Sequence, residues 1–404
     1  MAGSSAAGAT ATAPARPAAE ALSCMRHEFS LPESGHYLNC AYMSPLPRRV
    51  EAAGLAGLYR KRAPQAIGPR DFFEDADRVR ALFAQLIGAP DPLRVTIVPA
   101  VSYAIAIAAR NTPCAPGQTI VVSGEQFPSN VHAWRRLATR AGARVRTVAA
   151  PESTTRGEDW NAALIEAIDE TTAIVALPHV HWTDGTRFDL ESIGRKARRA
   201  GAAFIIDATQ SIGALPFDVE AAGPDLVVAA AYKWLLGPYG IGAAWIGPRY
   251  ENAEPLEETW IGRAASDDFQ GLVNYRDDYQ PGSARFDVGE RSNFILTPMF
   301  EAALGLVLEL RPDRIQDYCR KLVSSAVAEA GSLGFGVEHE SWRASHLFGL
   351  RTPAGFDPGA LQAALQRAGV SASLRGSALR LSPHVYNDEA DIAALMRVLR
   401  DAVG

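Results

Sequence analysis

The chain has 404 residues, 48% of them hydrophobic and 21% charged, the balance of an ordinary globular protein with room for two or three domains. Forty basic against 45 acidic residues leave a net charge of −5, which excludes a chain-wide basic footprint for nucleic acid. The most apolar runs are only strand-length, so no membrane span is expected, and four scattered cysteines without CxxC pairing argue against a disulfide framework or a cysteine zinc site and for a cytoplasmic location.

Residues 1–21 are mostly Ala, Ser, Thr, Gly and Pro. They offer too little apolar surface to offset ordering entropy and are predicted to be a disordered tail, without the charged start and apolar stretch of a signal peptide. A short N-terminal arm, 22–47, follows. From residue 48 the pattern alternates: a helix over 72–86 that stops at Gly88, a β-branched strand over 94–98, a helix over 102–109, a strand over 119–122, a helix over 130–141 and a strand over 144–148. The runs 173–177, 202–206, 226–229 and 242–246 are apolar throughout, as suits strands buried on both faces, and a helix over 189–200 suits a crossover. This alternation predicts an α/β domain over 48–275, with a mostly parallel sheet flanked by helices. Beyond it, helices over 298–310 and 314–333 precede strands near 346–351 and 378–382 and helices over 359–367 and 389–403. That pattern reads as a smaller C-terminal α+β domain, 276–404.

The chemistry is concentrated in residues 204–242, FIIDATQSIGALPFDVEAAGPDLVVAAAYKWLLGPYGIG. One buried strand ends in Asp207, and the next is followed by Lys233 in a loop rich in Gly and Pro. Acid and amine at the ends of adjacent strands face the crevice where α/β sheets bind ligands. A partly desolvated lysine there is a usable nucleophile toward a carbonyl, and a facing aspartate suits the protonated ring nitrogen of pyridoxal phosphate. The residues alone equally admit a buried ion pair.

Several separate motifs resemble the class V aminotransferase family, pyridoxal-phosphate enzymes of fold type I that include cysteine desulfurases, kynureninases and isopenicillin N epimerase-like proteins. The resemblance spans residues 37–387. It implies that Lys233 of AYKWLLGPYG forms the Schiff base with the cofactor, that Asp207 of DATQ holds the pyridinium nitrogen, and that Gln210 donates to the phenolic oxygen. PAVSYAIA lies at the strand-to-helix turn where relatives bind phosphate. It implicates Ser102 and neighbouring backbone amides, Val101 among them, in keeping with the affinity of helix N-termini for anions. In EQFPSN the resemblance places Phe127 over the pyridine face, the kynureninase-like choice where desulfurases have histidine. Tyr232 and the Trp260 of ETWIGR resemble kynureninase residues that reach phosphate, the tryptophan across a dimer interface. In ALRLSPHVYN, Arg380 matches the arginine that grips the substrate carboxylate. YLNCAYMSPLP contributes Asn39 and Ala41 to the substrate side, and His181 or Trp182 stands near the ring, with His181 the chosen substrate contact.

The departures are informative too. GVSASLRGSAL, where desulfurases carry their mobile cysteine, has none, which leaves no thiol for persulfide chemistry. Glu290 replaces a phosphate-binding threonine, so Glu290 is set outside the site. The pair His179 and His181, followed by Asp184, mimics the HxH metal pair of barrel hydrolases, but no further strand-end histidine completes a set and no metal is expected. The resemblance therefore implies a pyridoxal 5'-phosphate enzyme of the class V aminotransferase type, acting on a small amino acid through an external aldimine, as a homodimer with its site at the interface. A kynureninase-like or C–S lyase and an amino-acid epimerase are the alternatives within the family. A metal-dependent hydrolase and a non-catalytic binding protein of this fold are the alternatives outside it.

Overall fold

The computed structural model describes residues 21–32, 34–353 and 356–403; the tail expected over 1–21 lies outside these except for its last residue. A short strand, β1 (His36–Tyr37), precedes helices α1 (Arg48–Arg60) and α2 (Glu74–Leu86). Then come β2 (Val95–Val98), α3 (Val101–Asn111), β3 (Thr119–Ser123), α4 (His132–Ala141), β4 (Arg144–Val148), α5 (Arg156–Glu166) and β5 (Thr172–Pro178). They continue with α6 (Leu190–Arg199), β6 (Ala203–Asp207), the single-turn α7 (Val219–Ala222), β7 (Leu226–Ala230) and β8 (Gly242–Ile246). After a stretch built of turns, α8 (Leu296–Leu310) and α9 (Pro312–Ser332) lead to β9 (Gly336–Val337), β10 (Phe348–Arg351), α10 (Pro358–Arg367), β11 (Val370–Ser371), β12 (Ser373–Arg375), β13 (Ala378–Leu381) and α11 (Glu389–Val403).

The fold is α/β. Its seven-stranded sheet has the order β2-β8-β7-β6-β5-β3-β4, and every strand runs the same way except β8, which is antiparallel to both its neighbours. The inner strands β5, β6 and β7 are buried at every position, as their unbroken apolar runs require when helices cover both faces. β4 sits at an edge and is largely exposed, and its Arg144 and Arg146 blunt an otherwise open ladder. Asp189 begins α6 by accepting from the Ser192 amide, and Gly142 ends α4 in the left-handed region, the ordinary start and stop chemistry of helices.

A four-stranded antiparallel sheet, β12-β13-β10-β9, lies further along the chain, with Leu350, Leu379 and Leu381 packed among Leu361, Leu365 and Leu395. The N-terminal arm joins it through the parallel pair β1–β11 and the bridge Asn39↔Ser382. Three helices escape the sequence pattern: α1, α5 and the single-turn α7. α1 carries Gly54 and Gly57 on its packed face: an added Cβ on Gly54 would collide with Met299 of α8, and one on Gly57 with the Phe294 carbonyl oxygen just before α8. Residues that normally argue against a helix are here what lets two helices approach. α5 shows a weak apolar stripe, yet it buries Trp160 completely. No helix among the described residues is long and apolar enough to cross a membrane.

Candidate active site

The parallel strands place their exit loops along one edge of the sheet, the edge where open α/β sheets bind ligands. Pro99, Ala100, Val101 and Ser102 follow β2; Gln126, Phe127 and Ser129 follow β3; Val180 and Trp182 follow β5. Thr209 and Gln210 follow β6, and Tyr232 and Lys233 follow β7. Together with Asp207 they line a cavity of about 280 Å³.

Lys233 is the one buried lysine of the four in the chain, with 7% of its surface exposed. Its Nζ lies 5.6 Å from the centre of the Phe127 ring and 5.5 Å from that of Tyr232. Burial lowers its pKa to about 8, with Arg380 acting in the same direction and Asp207 opposing, so a real fraction of the amine is neutral and nucleophilic near neutral pH. Asp207 ends β6 in register with Val228 of β7. Burial raises its pKa, against a hydrogen bond from the Thr209 amide to Oδ1 at 3.0 Å and the nearby Lys233 charge. The loop that presents Lys233 rests on Gly213, whose φ of +107° and lack of a Cβ admit the Trp234 carbonyl; no other residue meets both conditions without strain.

α3 starts at Val101 with no side-chain cap on its first amides, so the orphan N–H groups at Val101 and Ser102 point a partial positive charge at the cavity wall. Phe127 follows Glu125, held at φ +49°, and meets the Trp182 ring edge-on at 5.5 Å. Gln210 is fixed on both sides: its Nε2 donates to the Ala41 carbonyl at 3.2 Å and its Oε1 accepts from the Trp234 indole at 2.9 Å. The ring of Tyr232 packs at 4.6 Å on Tyr239, another wall residue.

Arg380, from β13, is 2% exposed. Nη1 donates to the Trp182 carbonyl at 2.9 Å, Nη2 to Asn39 Oδ1 at 3.4 Å, and Nε has no partner. Burial and the charge of Arg375 lower its pKa to about 10. Asn39 also accepts from Ser373 Oγ at 3.0 Å, while Ala41 is tied through its amide to Ser382 Oγ at 3.0 Å. The arm thus spans the gap between Gln210 and the Arg380 strand; Asn39, Ala41 and Arg380 touch one another's partners but are not among the residues that line the cavity.

Two candidates stand elsewhere. His181 is fully buried away from the cavity: Nδ1 pairs with Thr183 Oγ1 at 2.7 Å, Nε2 with the Gly124 carbonyl at 3.1 Å, and the ring lies 4.8 Å from Trp160. At a strand exit, adjacent side chains face opposite ways, and Trp182 is the one on the wall. Trp260 does not line this cavity; it is 40% exposed in an aromatic group with Phe72, Phe73 and Phe269. His179 packs on Phe217 rather than beside His181, and no group of three His, Cys, Asp or Glu side chains able to hold a metal occurs among the described residues. Arg291 is tied to Asp287 at 2.6 Å in the interior.

Sequence reasoning passed over Thr209, although it lies within DATQ, and Gln126, although it lies within EQFPSN. Gln126 has a buried Nε2 without a partner on the cavity wall. Arg375, whose guanidinium stands over the Trp182 ring at 5.6 Å, was passed over as well; its signal was the alternation of polar and apolar residues through SLRGSALRL.

The chain is 27% identical to an uncharacterised aminotransferase, YcbU, of Bacillus subtilis over 80% of its length and 82% of that protein. It is 26% identical to isopenicillin N epimerase of Streptomyces clavuligerus, over 91% of this chain and 94% of the other. The solved apo structure of a cysteine desulfurase from Thermococcus onnurineus NA1 superposes with a TM-score of 0.80 at 20% identity, covering 94% of this chain and 97% of that one. The family model described as Aminotransferase class-V matches residues 69–337, more than half of the chain. The protein therefore belongs to the class V aminotransferase family and is an enzyme whose cofactor is pyridoxal phosphate.

Proposed function

We propose that the enzyme acts on a small free α-amino acid, with Lys233 as the residue that joins the cofactor covalently and then moves the substrate's Cα proton. The observation that carries this reading is Arg380: a buried guanidinium with no carboxylate within ion-pairing distance among the described residues, whose charge acts on Lys233. An unpaired buried cation is costly and persists where an anionic ligand completes it.

The residues fit the cofactor. The nucleophilic Lys233 suits its aldehyde, the buried Asp207 suits a protonated ring nitrogen, the uncapped start of α3 with Val101 and Ser102 suits its phosphate, and Phe127 suits an aromatic face. Gln210, Tyr232 and the unpartnered Gln126 amide offer further donors. When bound, pyridoxal phosphate supplies an electron sink for the pair left on the substrate Cα. Arg380 receives the substrate carboxylate in a fork and so fixes which Cα bond faces Lys233. Lys233 Nζ, with a pKa of about 8, takes the Cα proton, and transamination would require that it give this proton up on the same face to the carbon that the cofactor's aldehyde supplies. Asp207 holds its charge against the ring nitrogen in surroundings that need no reorganisation, and Trp182 with Phe127 forms one wall of the cavity.

Phe127 carries no proton, and the thiol of Cys40, near Lys233, is pushed up to about 12 by burial. One base on one face suits transamination better than epimerisation, which needs a second proton carrier. Loading the holoenzyme with a panel of amino acids tests this. Pyridoxamine phosphate with a 2-oxo acid is the expected product. Pyruvate, alanine or ammonia without it would instead establish a lyase.

The enzyme is further proposed to be a cytoplasmic homodimer. Free thiols at all four cysteines suit a reducing compartment. Leu55, Leu58 and Tyr59 on α1 and the aromatic group around Trp260 leave apolar surface exposed, and the role proposed for Trp260 at phosphate is exercised across that interface.

A further inference from the structure

The hairpin β12–β13 pairs Ser373 with Arg380, Leu374 with Leu379 and Arg375 with Ala378. Because side chains alternate between faces, Ser373, Arg375, Ala378 and Arg380 share one face, while Leu374 and Leu379 share the other. Leu374 and Leu379 pack in the C-terminal core. Ser373 and Arg380 meet at Asn39 Oδ1, on the substrate side. Arg375 and Arg380 are diagonal neighbours on that same face, a relation that places Cα atoms roughly 7–8 Å apart.

Trp182 joins the two arginines. Its carbonyl accepts from Arg380 Nη1 at 2.9 Å, and its ring lies under the Arg375 guanidinium at 5.6 Å. Its own indole N–H is anchored on the Glu125 carbonyl at 2.7 Å, and its ring is a wall of the cavity that holds Lys233. The only hydrogen bond that Arg375 makes among the described residues is local, Nη1 to the Leu374 carbonyl at 2.8 Å; its Nε is buried without a partner. No carboxylate among the described residues stands within ion-pairing distance of either arginine, and the charge of Arg375 disfavours that of Arg380. Two like charges on one face, both acting on Lys233 and both lacking a counter-ion, form a receptor for two anionic groups.

We propose that Arg375 is a specificity residue that binds a second carboxylate, on the substrate side chain, so that the enzyme acts on a dicarboxylic amino acid. This rests on the reading that Arg380 holds the α-carboxylate beside Lys233. Trp182 positions both anchors: its carbonyl orients one guanidinium, and its ring face supports the other by a cation–π contact.

The test uses the cofactor-loaded enzyme and two readouts. In the first, kcat/KM is compared for L-aspartate against L-asparagine and for L-glutamate against L-glutamine, pairs that differ by one charge. The wild type should prefer at least one acid over its amide by tenfold or more. Arg375→Gln should lower kcat/KM for that acid by roughly ten- to hundredfold, chiefly through KM, the loss that follows when one charged hydrogen-bonded contact is removed. It should leave the amides within about threefold, and Arg375→Lys should recover part of the loss. In the second readout, succinate, glutarate and butyrate are titrated as ligands that lack an amine and cannot react. The diacids should bind at least tenfold tighter than butyrate to the wild type, and equally to Arg375→Gln. An equal loss on acids and amides would overturn the proposal and make Arg375 a partner in gripping the α-carboxylate. Equal binding of diacids and butyrate by a yellow wild-type enzyme would also overturn it, while leaving the reading of Lys233 intact. A protein that forms no visible chromophore with pyridoxal phosphate would remove that reading and this proposal together.

Discussion

Replacing Arg380 by glutamine separates the substrate-binding account from a merely structural one. A guanidinium carries five N–H donors; here one goes to the Trp182 carbonyl and one, at 3.4 Å, to Asn39, which leaves three, the unpartnered Nε–H among them. Three are enough for a side-on fork of two charge-assisted bonds to a carboxylate. At about 1.5–2 kcal/mol each, their loss amounts to about 3–4 kcal/mol, or roughly 100- to 1000-fold in kcat/KM. Arg380→Lys keeps the charge without the fork and should recover no more than about tenfold of that. The folded state should be spared, because the variant removes a buried cation that has no counter-ion; Tm should hold or rise. The assay is steady-state kinetics with a reactive amino acid, run beside thermal unfolding and the visible spectrum of the loaded enzyme. A loss below threefold at an unchanged spectrum, or a Tm that falls in step with activity, would refute the reasoning.

Three further outcomes follow from the same geometry. The neutral amine of Lys233 is the reactive form, so the rate at which the apoenzyme takes up pyridoxal phosphate should climb about tenfold per pH unit and level off above about 8; a rate still climbing toward pH 10 would contradict the lowered pKa. Gly213→Ala sets a Cβ against the Trp234 carbonyl at φ +107° and should cost about 3 kcal/mol or more, read as a fall in Tm together with lower cofactor occupancy; an unchanged Tm would show that the Lys233 loop is not braced there. Light scattering should report a dimer, with Trp260→Ala weakening cofactor affinity about tenfold; full affinity in that variant would place phosphate binding entirely within one chain.

What was legible in the sequence follows from where a residue's surroundings are local. The strands β5, β6 and β7 announce themselves because burial on both faces forces unbroken apolar runs, and Asp207 and Lys233 stand out as the charges that end such runs. The phosphate-side turn was legible through the resemblance of PAVSYAIA, at a strand-to-helix junction; that no side chain caps the first amides of α3 is seen only in the fold. Where packing partners are remote, the signal failed. Gly54 and Gly57 read as breakers until α8 lies against them. His181 and Trp182 compete for one position, and only the direction of the chain leaving β5 decides that the tryptophan faces the cavity. Arg380 stands out only through the resemblance, while Arg375 looks like an ordinary surface charge in a hairpin; that no carboxylate comes near either among the described residues is a property of the folded molecule alone. Trp260 is the mirror case, a recognisable residue placed away from the cavity that holds Lys233.

The central claim is that Lys233 is the residue that joins pyridoxal phosphate. The chain has four lysines, Lys61, Lys196, Lys233 and Lys321, so one measurement decides it: reduce the loaded enzyme with borohydride, digest it, and locate the pyridoxyl mass by peptide sequencing. The account predicts a single modified lysine, Lys233, with no trapped label in Lys233→Ala. A label on another lysine, or one that persists in that variant, would contradict it.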